Sequence, residues 1–403
     1  MNKLLKLFLF FTAFPCIKIF GVSITIFLFM AIIFSRKNIK IQFLKSKVFL
    51  FFFVAILISS VFSFFDDQTS HPGFFYILKI CFQYLYWICV AIFFKKYFKS
   101  FNIIELIKYF LLGLICLIIS FFVLKFKLDY GFLSFNFDFS RNNFVFIILA
   151  GFPISYFYFI NNKRLKKFTK LLIFIFLLVM FLSQGRSGIL ILIIEIIFVS
   201  IIVNPKIKLF YNFVLALIII AFLSGALNFF LVSLSNAVEP YNPRIAGFIR
   251  QDGESDVEQD KSLILRLMMI DKTKEIFLEN PFFGIGPNMF KYYKAPLDFR
   301  NNYKKLDYRD DDYINSRSSH GTYFHILSEF GILGFTFFLL IISPPILYLL
   351  KHLYNSKTRK SDILLISLFG ISLHFISISA ITGTIAWVII GIAYSSKTDK
   401  QIE

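Results

Sequence analysis

Twelve apolar runs, most of them as long as a membrane-crossing helix, occupy this chain between residues 4 and 396. They lie near 4–17, 19–34, 47–65, 74–94, 103–124, 142–160, 168–183, 187–203, 209–232, 322–350, 362–380 and 382–396. A transmembrane helix needs about 17–25 mostly apolar residues. The runs therefore predict an all-α polytopic membrane protein with about 12 transmembrane helices. Composition excludes the alternatives. The chain is 58% hydrophobic and 17% charged, against about 45–50% and about 25% in soluble domains. A soluble fold of this length could not hide so much apolar surface, and a disordered chain would carry far less of it. Lys3 and Lys6 make the first run look like a signal peptide, but no small-residue cleavage site follows, so it is read as an uncleaved first span.

Charge supports the count. With a cytoplasmic N-terminus, every second connection should be basic. Arg36, Lys37, Lys40 and Lys45 follow the second run, and Lys95, Lys96 and Lys99 the fourth. Lys163, Arg164, Lys166 and Lys167 follow the sixth, Lys206 and Lys208 the eighth, and Lys351, Lys357, Arg359 and Lys360 the tenth. Lys397 and Lys400 lie in the tail. Both termini are thus expected on the cytoplasmic side of the membrane. The net charge of +19 reads as contact with anionic lipid at span ends and not as nucleic-acid binding. The four cysteines, Cys16, Cys81, Cys89 and Cys116, sit in apolar runs without a zinc or redox spacing.

One connection is long. The expected organisation is a bundle of spans 1–9 over residues 1–232, a periplasmic loop over 233–321, and spans 10–12 with a cytoplasmic tail over 322–403. The loop holds 13 Lys and Arg against 14 Asp and Glu, more than half of the chain's acidic residues. Within it, Ser262 to Glu279 has helical apolar spacing and should rest on the bundle. Asn280-Pro281 ends that helix, because the residue before proline avoids helical angles. Gly284-Ile285-Gly286-Pro287 then reads as a tight turn, and a Tyr-rich polar segment over 292–313 suits contact with sugars.

Three segments in order carry a resemblance. Leu182-Ser183-Gln184-Gly185-Arg186-Ser187-Gly188 closes the seventh run. Asn280-Pro281-Phe282-Phe283-Gly284-Ile285-Gly286-Pro287-Asn288-Met289-Phe290 follows the loop helix, and Ser319-His320-Gly321 opens the tenth span, which continues through His325 and Glu329 to Gly334. On this topology the set resembles the O-antigen ligase and O-antigen polymerase superfamily. Family sequences often have Asn after the motif histidine, where this chain has Gly321. The resemblance implies a glycosyltransferase that moves a glycan from a polyprenyl-diphosphate carrier to an acceptor hydroxyl at the periplasmic face. The acceptor would be another lipid-linked repeat (polymerase, slightly favoured) or a lipid A core sugar (ligase).

The side chains fit such a reaction. The donor already carries its leaving group, so the protein must mainly neutralise departing phosphates. Arg186 and Arg266 are the expected catalytic arginines, since guanidinium binds phosphate in a planar fork. Arg266 lies among Leu and Met and requires an anion, either Asp271 or a ligand phosphate. Arg141, Gly284 and Gly286 are further substrate-binding candidates. His320 is expected to take the acceptor proton or to orient the acceptor. His325 lies about 140° around a helix from His320 and is four residues from Glu329. That pair reads as structural, or as a secondary acid–base and substrate-binding pair. No H-E-x-x-H spacing exists, and neither metal nor cofactor is expected. Glu195 and His374 are ionisable groups inside spans. A lipid-glycan flippase is the rival from another class. It predicts cations distributed through the membrane, whereas these cluster at one face.

Overall fold

The structure is a computed structural model that describes residues 2–19, 22–35, 46–65, 72–124, 127–129, 133–136, 140–183, 186–205, 261–294, 319, 321–355 and 358–397. Eleven helices follow eleven of the expected apolar runs, and the run at 209–232 lies outside the described residues. They are α1 Asn2–Ala13, α2 Ile24–Phe34, α3 Lys47–Phe62, α4 Phe74–Tyr97, α5 Ile103–Ile119, α6 Arg141–Asn161, α7 Thr169–Leu182 and α8 Arg186–Val203. After the loop helix α9 Lys261–Glu279 come α10 Thr322–Tyr354, α11 Ile363–His374 and α12 Thr384–Lys397. Four helical stretches, Phe74–Ser100, Ile103–Leu124, Arg141–Asn161 and Thr322–Tyr354, are long and apolar enough to cross a membrane unaided. The others are shorter.

Local chemistry sets several ends. The Asn102 side chain accepts from the Glu105 N–H at 3.2 Å and caps α5, and Ser140 caps α6 through the Asn143 N–H. α1 stops at Ala13, short of the expected residue 17, because Phe14 precedes Pro15.

The hydrophobic pattern sorts the helices by depth. α12 is buried almost all round, from Ile385 to Ala393, and α6 from Phe144 to Phe157. Such helices belong at the centre of a bundle. Gly391 lets α12 approach α4, where a Cβ would lie 2.6 Å from the Ala91 carbonyl oxygen. Aromatic rings fill the remaining space. Phe8 meets Phe29 and Phe94 at 5.9 Å, and Phe52 meets Trp387 at 6.1 Å. α3 and α7 expose Phe51, Leu57, Leu171 and Phe174, as lipid-facing helices do.

The all-α expectation needs one correction. Four short strands, β1 Ile17–Ile19, β2 Val22–Ser23, β3 Lys127–Asp129 and β4 Leu133–Asn136, form an antiparallel sheet ordered β2-β1-β4-β3. Lys18 pairs with Ser134 and Ile17 with Phe135. The sheet joins the α1–α2 and α5–α6 connections, so both lie at one end of the bundle. The start of α4, the end of α3 and the start of α12 are at that end too, through Tyr76 with Asn288, Gly286 against Ser63, and Thr25 with Thr384. The opposite end gathers the basic groups. Lys6 pairs with Glu105, His352 with Asp362 at 3.0 Å, and Lys95 lies over Tyr394 at 4.7 Å.

Candidate functional site

The expected single helix of the tenth run is broken. Gly331 takes φ 60° and ψ −165° inside α10, and the segment after α9 repairs the interrupted ladder. Ile332 and Leu333 donate their N–H groups to the carbonyls of Pro281 and Phe282, at 2.8 and 3.3 Å. In return the N–H groups of Ile285 and Gly286 bond the carbonyls of Ser328 and Glu329, at 3.1 and 2.9 Å. Backbone groups this deep must be satisfied by protein, and Gly-Ile-Gly-Pro does it. Gly284 has φ +67°, and a Cβ there would fall 2.4 Å from the Glu329 carbonyl carbon. Gly286 has φ +99°, with Ser63 in the way of any side chain. Any ligand held by these two glycines would have to displace bonds that already fix the loop to α10.

Glu329 anchors this loop. Its two carboxylate oxygens accept the N–H groups of Asn288 and Phe290, and His325 Nε2 stands 3.1 Å from Oε2. Both side chains are buried, and the Tyr84 hydroxyl lies 3.5 Å from the same His325 nitrogen. The pair is thus wired into the fold. Asn288 takes φ 61°, a left-handed conformation that Asn tolerates.

Sequence reasoning missed Lys272. It is 0% exposed on α9, its Nζ has no hydrogen-bond partner among the described residues, and it sits 4.9 Å from the Phe290 ring and 5.9 Å from Tyr293. Burial lowers its pKa to about 8, with the Glu275 charge opposing the shift. Glu275 is pushed the other way, above its usual range, first by burial and then by Glu279 and Asp271. The signal was present: Met268, Met269, Lys272, Thr273 and Ile276 mark one buried stripe of α9, and Lys272 occupies a core position in it.

The remaining motif segments meet at the turn between α11 and α12. The tenth span begins pinned to it. The Thr322 N–H bonds the carbonyls of Phe375 and Ile378 at 2.7 and 2.9 Å, while its hydroxyl accepts from the Ala380 N–H at 2.9 Å. These bonds stop α11 at His374, short of the expected residue 380. Gly321 fits here because a Cβ would lie 2.8 Å from the Ile376 carbonyl oxygen. α8 arrives from another side: Ser187, next to Arg186, lies 3.5 Å from Ser377, which bonds His374 Nδ1 at 3.0 Å. His320 lies outside the described residues. The backbone places Arg186 at the first residue of α8 and Arg266 early in α9. Arg141 is half-buried at the first residue of α6.

A cavity of about 520 Å³ opens beside this turn, walled by residues of α1, β1, α2, α4, α6 and the α11–α12 turn together with Asn288. Its volume is within the roughly 300–1,000 Å³ of small-molecule sites. Deeper in the bundle, Glu195 is buried against Gly370 of α11, and neither carboxyl oxygen has a partner among the described residues. Also among the described residues, no group of three or more His, Cys, Asp or Glu side chains is placed to hold a metal ion.

A family model described as O-antigen ligase matches residues 171–339. The matched segment contains Arg186, Arg266, Gly284, Gly286, His320, His325 and Glu329. It supports the resemblance to the O-antigen ligase and polymerase superfamily. No curated protein matches the chain.

Proposed function

From the O-antigen ligase domain as premise, we propose that this chain transfers a polyprenyl-diphosphate-linked saccharide to an acceptor hydroxyl, in the assembly of a bacterial surface polysaccharide. The observation that carries the reading is convergence. Segments around Ser187, Asn288 and Thr322, far apart in sequence, meet at one end of the bundle beside the cavity. Arg186 and Arg266, with Arg141, would neutralise the departing diphosphate without a metal ion. His320 would take the acceptor proton or orient the acceptor. The basic end of the bundle faces the cytoplasm of the inner membrane, so the reaction takes place on the periplasmic side.

The favoured acceptor is another lipid-linked repeat, which makes the chain a polymerase. The description of the matched family favours the second reading, a ligase acting on lipid A core. A gel of surface polysaccharide from a deletion strain separates them. A single repeat on the core means polymerase, and full-length polymer left on the carrier means ligase. Donor trapped inside the cell, with no glycan reaching the periplasmic face, would mean a flippase instead. Transfer that EDTA stops and magnesium restores would overturn the arginine-based chemistry.

A further inference from the structure

The cavity has a chemistry of its own. Among the described residues its polar lining consists of hydroxyls and amides, with Lys18 the one charged residue and no carboxylate. Along one wall the hydroxyls satisfy each other: Ser23 and Thr25 lie 2.9 Å apart, Thr25 and Thr384 3.2 Å. Elsewhere the polar groups stand open. Gln83, Asn143, Ser379 and Thr382 line the space, and their side chains make no hydrogen bond within the described residues. Trp87, Phe146 and Ile147 supply apolar surface between them.

That mixture discriminates among the parts of a lipid-linked glycan. A polyprenyl tail would be best served by an apolar lining, because open amides and hydroxyls opposite hydrocarbon stay unsatisfied. A diphosphate calls for cations in number, and Lys18 is the one that lines the cavity among the described residues. Uncharged sugar rings present hydroxyls around their edge and C–H faces between them. They match open amides and hydroxyls set beside aromatic and aliphatic surface. We propose that this cavity is a saccharide subsite: it holds uncharged sugar rings through Gln83, Asn143, Ser379 and Thr382, and so sets which sugars the chain accepts. The proposal rests on the glycan-transfer reading above.

The cavity's position in the sequence adds a consequence. Of its lining residues only Asn288 lies in the segment matched by the O-antigen ligase family, 171–339. Selection of the sugar is therefore built by α1, α2, α4, α6, the connections beside them and the α11–α12 turn, while Arg186, Arg266 and His320 lie in the matched domain. Asn288 links the two, since its loop also anchors on Glu329.

The test uses the purified full-length chain in nanodiscs and two probes: undecaprenyl diphosphate without sugar, and the saccharide-bearing lipid extracted from the source cells. Replacing Gln83→Leu and Asn143→Leu together should weaken binding of the saccharide-bearing lipid about tenfold or more and leave the sugar-free lipid unaffected. Thr382 is exposed, so a cysteine there serves as a mild second variant. Thr382→Cys should react with maleimide in the presence of sugar-free lipid and be protected by the saccharide-bearing lipid. Unchanged binding of both lipids by the double variant, equal loss for both, or protection of Thr382→Cys by the sugar-free lipid would each overturn the subsite. Arg186→Ala and Arg266→Ala report separately. If they leave transfer intact, the arginine-based chemistry fails; absence of transfer by the wild-type chain would sink the transfer reading, whatever the cavity binds.

Discussion

The two ends of the bundle are built on opposite plans. At the basic end, ionic groups find partners on neighbouring elements: Lys6 with Glu105, His352 with Asp362, Lys95 over Tyr394. At the other end the backbone itself is irregular. A four-stranded sheet joins two connections, α10 breaks at Gly331, α11 stops early, and a polar cavity opens among them. Irregular backbone at membrane depth persists only where protein or a water-lined cavity satisfies it. The difference therefore marks the end at which polar groups are free to meet a ligand. One end closes the bundle, and the other keeps unbonded polar groups available.

The comparison breaks most sharply on orientation, where the expected outcome is all-or-none. A cysteine placed near Ser255 should react with an impermeant thiol reagent from outside intact cells, and one near Lys166 should not; reversed labelling would put the cavity on the cytoplasmic side. Next come the arginines. Arg186→Ala and Arg266→Ala should each abolish most glycan transfer while the protein still inserts, with lysine rescuing only partly because it lacks the planar fork. Wild-type transfer by Arg266→Ala would make that residue structural. His320→Ala should then lose about 10²–10⁴-fold in turnover with donor binding intact, and His325→Ala much less. An indispensable His325 would put the acceptor on the other face of α10.

Two smaller effects concern the loop that mends α10. Glu329→Gln places an amide donor where the N–H groups of Asn288 and Phe290 require acceptors, and should cost roughly 1–3 kcal/mol of stability. Thermal unfolding in detergent reads this directly, and an unchanged midpoint would remove Glu329 as the anchor. Lys272 gives the mildest test. Its folded pKa of about 8 lies below the usual 10.5, so between those values the unfolded chain binds more protons and stability rises with pH. Below about 8 the buried ammonium is charged and destabilising. Lys272→Met should therefore be at least as stable as wild type at about pH 7, and should lack the wild-type gain by about pH 9.5. A wild-type gain retained by the variant would assign it to other groups.

Much of this was legible along the chain. Hydropathy located the helices, because the demand for about 17–25 apolar residues is local. Charge sorted the connections into two ends, and described contacts join the ends that alternation groups together. The loop helix and its stop at Asn280-Pro281 were readable from apolar spacing and from proline's effect on its neighbour. The same chain gave no warning of the sheet, whose strands of two to four residues have no periodicity to detect. Residues 322–350 read as one span because Phe-Gly-Ile-Leu-Gly is apolar throughout; the break at Gly331 exists because Pro281 and Phe282 offer carbonyls to the freed N–H groups. Lys272 went unnoticed in the sequence, because only the fold covers it with Phe290 and Tyr293. The cavity is the furthest from local reading, since Thr25 and Thr384 meet across nearly the whole sequence. Hydrophobic length and charge act residue by residue, so the sequence by itself determined the helices, the two ends and the motif segments. Which polar groups remain unbonded, and which backbone is mended by a distant loop, depends on long-range packing, and only the tertiary structure decided it.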